Sequence, residues 1–192
     1  SMLGFAAGGL LLNLRPKLLE RDAPGMLSRL AIAFGAATSL SLLLVANLPF
    51  EAGLLSSVSN FLLFALLILL ITSIYFFAGM FIAYAIASEP ERVSRIYLAN
   101  MTGSGLGCLI SVLLMETVFP TTGLLIYALL GAVAGALHLP HVANRKGATR
   151  EFVILAVALI LGIGSSAWDP MHGPFYLKSA KGFPNVDRFY IQ

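Results

Sequence analysis

Few residues in this sequence could do chemistry, and most of them lie in one stretch. Gly103-Ser-Gly105-Leu-Gly107 has the outline of a glycine-rich loop that cradles phosphate. Such a loop needs a strand before it and a βαβ unit around it. Here the string lies inside an uncharged apolar run instead. The competing reading is helix packing. Gly103 and Gly107 are four apart and so share one helical face, where a neighbouring backbone can come close. Gly4 and Gly8, and Gly131 and Gly135, repeat the spacing. Asn100, Thr102 and Ser104 add polar atoms to the same segment, and Asn100, Gly103, Ser104 and Gly107 fall on one face at helical spacing. A polar stripe in a membrane must face protein or a water-filled cavity. This one either forms interhelical hydrogen bonds or makes a small polar site, with Asn100 and Ser104 as the substrate-contact candidates.

Other chemistry-bearing residues are isolated. Glu116 is the acid that could lie partly within the hydrocarbon. It is either a boundary residue reaching the interface or a third substrate candidate, a cation or proton site. His138 and His141 flank Pro140. Two histidines without a third ligand are a weak metal signal, so no metal site is assigned. Cys108 should behave as a small buried hydrophobe. Tyr75 and Tyr84 suit the bundle interior, and Tyr97, Trp168 and Tyr176 an interfacial belt. No Ser/His/Asp set, shared-depth carboxylate pair or cofactor fingerprint is present, so no catalytic residue is assigned.

The elements that must position these residues follow from composition. The chain has 192 residues, 58% of them hydrophobic and only 11% charged. A soluble domain carries about 25% charged residues, so a soluble enzyme is excluded. Disorder is excluded as well, because disordered chains are polar. The net charge of +3 and pI of 9.2 come from Lys and Arg in short loops, not from a basic face, which speaks against nucleic acid as a partner. One Cys rules out an intramolecular disulfide framework. A polytopic helical membrane protein remains, with the lipid bilayer as its first partner.

A spanning helix needs roughly 20 apolar residues. Uncharged runs place six spans: residues 2–14, 30–48, 54–87, 96–115, 122–139 and 152–166. The first is short and reads as the second half of a helix whose beginning is missing. The third is too long for one straight span and should hold a surface turn near 56–60, followed by a long tilted helix. Residues 1–167 thus form an all-α transmembrane bundle, and residues 168–192, with Pro170, Pro174 and Pro184, an extended polar linker. Short loops make consecutive helices antiparallel neighbours.

Charge in the loops orients the bundle. Arg15, Lys17, Arg21 and Arg29 lie between the first two spans, Arg92 and Arg95 between the third and fourth, and Arg145, Lys146 and Arg150 between the last two. The alternate loops, 49–53 and 116–121, hold acids and no Lys or Arg. The positive-inside rule puts the three basic loops in the cytoplasm. By parity the tail after the sixth span lies outside.

The segment 90–108 resembles one in the membrane-embedded spermidine synthase-like proteins. There a long apolar helix is followed by a short charged loop, a Tyr, an Ala-Asp pair, two apolar residues and Gly-x-x-x-Gly. The matching positions are Tyr97, Ala99, Asn100, Gly103 and Gly107. Phe76-Phe77-Ala-Gly79 looks like that family's pre-loop helix, residues 2–10 like the end of an early helix, and residues 181–186 like the approach to its catalytic domain. The family's usual Asp is Asn100 here, which puts any cation or proton role of that position in doubt. The resemblance implies the membrane module of a polyamine aminopropyltransferase-like transferase in a bacterial inner membrane. It would anchor a soluble domain of the same protein and would admit or sense polyamine. Decarboxylated S-adenosylmethionine would be that domain's cofactor, and no catalytic residue carries over to this chain. The adenosyl substrate implies a cytoplasmic domain, in tension with the parity argument. A small-cation or polyamine transporter and a non-catalytic membrane scaffold are the rival readings.

Overall fold

Long uncharged apolar runs leave the backbone one way to satisfy its polar groups in a bilayer without pairing to other strands, which is to coil into helices. The computed structural model describes residues 2–19, 22–47, 57–118, 120–141, 149–150, 152–157 and 159–161, and among these there is no strand. The helices are α1 (Met2–Leu14), α2 (Ala23–Asn47), α3 (Val58–Ser88), α4 (Val93–Thr117), α5 (Pro120–His138) and a short α6 (Phe152–Leu161). Four of them are long and apolar enough to cross a membrane: α2, α3, α4 with the turn that precedes it, and α5 with the turn that follows it. The other two, α1 and α6, are shorter apolar helices. Of the six sequence-derived spans, therefore, four have crossing length among the described residues, and residues 162–166 of the sixth lie outside them. The loop at 49–53, Arg145, Lys146 and the tail 168–192 lie outside the described residues.

Proline sets several boundaries. A residue before proline is pushed out of the α region by the ring. Arg15 before Pro16 (φ −128°, ψ 68°) and Glu89 before Pro90 (φ −132°, ψ 69°) take up the same non-helical geometry. Each proline then opens a single 3-10 turn, where its missing N–H costs nothing. Of the turn expected near 56–60, residue 56 lies outside the described residues, Ser57 is extended, and α3 already starts at Val58. Its 31 residues make it about 46 Å long, well over the roughly 30 Å of a hydrocarbon core.

Chain order does not decide the tightest pairings. α1 lies along α3 and α2 along α5, with α2 also packed on α3; α4 touches α3 and α5 only sparsely. Consecutive helices are thus close neighbours in the α2–α3 case, while the closest seams join helices apart in sequence. Two apolar clusters form the core. One joins Leu12, Leu30, Met80 and Tyr84 across α1, α2 and α3, and the other joins Leu42, Leu125, Ala128, Ala132 and Leu159 across α2, α5 and α6.

Small residues explain those seams. A Cβ at Gly8 would stand 2.6 Å from both Met80 N and Phe76 O, and one at Gly4 2.5 Å from Thr72 O. Gly79 reciprocates from α3, its Cβ position lying 2.7 Å from Phe5 Cα. Backbone meets backbone, which only a hydrogen side chain permits. On the α2–α5 seam, a Cβ at Gly35 would meet Ala128 O at 2.7 Å, one at Gly131 the Phe34 ring at 2.7 Å, and one at Gly135 Ile32 Cγ1 at 2.8 Å.

Candidate functional site

The polar stripe belongs to α4, the helix with no buried residue. Its inner face is still legible. Ile96, Asn100, Gly107, Ser111 and Leu114 are half-buried while the residues between them are exposed, which is the 3.6-residue period of a helix lying loosely against a bundle. Along this face Ser111 makes the direct polar link to α5. Its hydroxyl donates to Gly107 O at 2.7 Å and stands 2.6 Å from the Tyr127 hydroxyl. A serine has one proton. With that proton on Gly107 O, Tyr127 donates to Ser111 Oγ, and the phenolic oxygen keeps its acceptor capacity.

Toward the start of α4 the helix stands off from the bundle and leaves a cleft of about 420 Å³. Phe34 of α2, Phe81 and Ile82 of α3, Asn100 of α4, and Tyr127 and Leu130 of α5 are among its walls. None of the residues that line it is charged. Its size is within the ordinary range of small-molecule sites.

The sequence candidates separate in space. Asn100 is half-buried at the cleft. Ser104 and Thr102 are exposed. Glu116 is exposed near the end of α4, sixteen residues from Asn100, or about 24 Å along the helix, so the structure does not bring the two together. Gly103 and Gly107 share the helix with Asn100, but no atom lies within 4 Å of where a Cβ on either would stand. Gly4, Gly8, Gly131 and Gly135 are all buried against a neighbouring helix. Cys108, expected to be buried, is exposed, because the face of α4 that carries it has nothing packed on it. Tyr84 is fully buried, and Tyr75, expected inside, is at the rim, with its ring 6.4 Å from that of Phe5. His138 is half-buried with its ring 6.2 Å from Phe81, and His141 is exposed. Among the described residues no three His, Cys, Asp or Glu gather in one place.

Several working residues escaped the sequence reading. Ser28 Oγ, fully buried on α2, donates to Gly135 O on α5 at 2.9 Å. Ser41 Oγ donates to Leu70 O on α3 at 3.1 Å. Gly35 and Gly79 complete the two seams. An available signal was small residues four apart, Ala31 with Gly35 and Gly79 with Ala83, which extend the spacing rule from glycine pairs to any small pair. Compared with known proteins, the chain matches no family model, no curated protein and no solved structure.

Proposed function

We propose that this chain is a membrane-embedded helical module that anchors a soluble aminopropyltransferase-like domain of the same protein, a transferase serving polyamine biosynthesis. The use to which the bundle puts its polar side chains carries the anchoring part of this reading. Ser28 and Ser41 are spent on backbone carbonyls of neighbouring helices, and glycines bring those helices to backbone contact. Groups fixed in this way lock a body together; a cation pathway would need polar groups left free along the interior. The aminopropyltransferase part rests on the resemblance of residues 90–108 to the spermidine synthase-like proteins. Decarboxylated S-adenosylmethionine belongs with the soluble domain, since the cleft walls offer no carboxylate to meet a sulfonium cation. In this reading the module sits in a bacterial inner membrane with its basic loops in the cytoplasm.

The decisive experiment is to sequence the reading frame beyond Gln192. A continuation with a strand, a glycine-rich turn and downstream acids is expected; an early stop codon overturns the enzyme part. A periplasm-only reporter should be active after Gly53 and silent after Lys146, and the opposite pattern inverts the orientation. The transporter reading draws on one observation, the half-buried amide of Asn100 at a cleft within a spanning helix. It requires Glu116→Gln to abolish spermidine uptake into proteoliposomes, and the anchor reading expects no dependence on Glu116.

A further inference from the structure

The link between α2 and α3 at Ser41 ends on a crowded acceptor. Thr38 and Ser39, on the same helix, donate back to their own backbone, to Phe34 O at 2.8 Å and Gly35 O at 2.9 Å. Ser41, only 3% exposed, instead reaches across to Leu70 O on α3 at 3.1 Å. That carbonyl is already engaged. Ser73 Oγ donates to it at 2.7 Å, and as part of an α-helix it also receives the N–H of Ile74. A carbonyl oxygen has two lone pairs, so three donors compete for two places and the backbone bond from Ile74 is weakened. Hydroxyls that bond back to their own helix loosen and bend it.

Packing changes at the same level. From Thr72 onward α3 is clamped by α1, with Gly4 set against Thr72 O and Gly8 against Phe76 O and Met80 N. Before that point no residue in 58–71 is buried, and Phe61, Leu62, Ile68 and Leu69 are at least half exposed. A clamped half and a loosely held half thus meet at the crowded carbonyl. The helix as a whole is about 46 Å long, and a span too long for its bilayer tilts or bends. Bending costs least where the backbone bond is weakest. Ser41 also has a second acceptor close by: turned back as Thr38 and Ser39 are, its hydroxyl meets Ala37 O.

We propose that α3 is jointed at Leu70. Residues 58–71 form an arm that swings against the clamped remainder, Ser41 is the latch that holds the arm to α2, and bilayer thickness sets how often the latch is open. Closed, Ser41 donates to Leu70 O; open, it donates to Ala37 O. A thin bilayer opens it, because more of α3 then has to be accommodated.

The test uses the full chain in nanodiscs, with amide exchange followed by NMR. Ile74 should exchange about fivefold faster than Tyr75 and Phe76, the size of one lost hydrogen bond. Ser73→Ala, which removes the closer competitor, should erase that difference. Spin labels at Leu62→Cys and Leu124→Cys in a Cys108→Ser chain, both positions being exposed, then report the arm against α5. Their distance distribution should be broader in dimyristoleoyl than in dierucoyl phosphatidylcholine, and Ser41→Ala should make it broad in both. Exchange at Ile74 as slow as at Tyr75, or one distribution in both bilayers, overturns the proposal, as does a Ser41→Ala distribution like that of the parent. The exchange and thickness readouts keep Ser41 in place, so they decide even where Ser41→Ala fails to fold.

Discussion

The α1–α3 seam and the inner face of α4 carry the same small-residue spacing and use it differently. On α1, Gly4 and Gly8 let two backbones meet, so that a single methyl would have to displace Met80 N and Phe76 O. On α4, Gly103 and Gly107 border open space, and the helix is tied to α5 at Ser111 and Tyr127. The spacing permits close approach and does not compel it. What differs is the partner surface. α3 presents Gly79 to α1, so that both sides of that seam are low. The walls facing the start of α4 mix bulky residues such as Phe81 and Ile82 with small ones such as Ala78 and Ala134, and present no glycine seam to the helix, which leaves a cleft there.

That contrast can be broken experimentally, and the largest effect should come from the tight seam. Gly8→Leu is expected to lower the thermal midpoint in detergent more than any single substitution on the α2–α5 seam or on α4, because α1 and α3 must separate along their length. Gly8→Ala should already cost about 1–3 kcal/mol through overpacking. A midpoint equal to wild type would mean that the seam is not as tight as 2.6 Å implies.

Next in size is Gly135→Ala on the α2–α5 seam. Its new methyl would meet Ile32 Cγ1 at 2.8 Å, the end of a side chain that can shift, so a loss smaller than that of Gly8→Ala is expected in the same melt. Ser28→Ala should follow, at about 0.6 kcal/mol, the average of interhelical hydrogen bonds in membranes. Removing it withdraws one donor from Gly135 O without opening a large void. A double-mutant cycle of Ser111→Ala with Tyr127→Phe should return a coupling of similar size and report the α4–α5 link directly.

The smallest effect is expected at Gly107→Ala. With nothing within 4 Å, the methyl has room, and alanine is the better helix former. The midpoint should stay within a degree or two of wild type, about the shift that a few tenths of a kcal/mol produces. A loss comparable to that of Gly8→Ala would show that α4 packs tightly against something in the membrane, and the comparison between the two seams would fall.

The helices were legible in the sequence because each follows from a local cause. Uncharged apolar runs gave α2 to α5 their existence and rough extent, whereas the boundaries that Pro16 and Pro90 set were not read from the sequence and came with the backbone geometry. The glycine pairs were legible as small faces. Which of those faces is occupied was not, because occupancy depends on the height of a surface contributed by another part of the chain. The candidate site was half visible in the same sense. Asn100 stood out as a polar residue in an apolar run, whereas its cleft-mates Phe34, Phe81 and Tyr127 looked like any other core aromatics until three helices brought them together.

Composition alone determined that this protein is a helical membrane bundle, since 11% charged residues cannot cover a water-exposed surface and a bilayer forces the backbone to satisfy itself. The tertiary structure decided that α1 pairs with α3, that α2 pairs with α5, and that α4 stands apart over a cleft. Those outcomes depend on fitting two surfaces, each set by residues distant in sequence, and one sequence position carries only its own half of that fit.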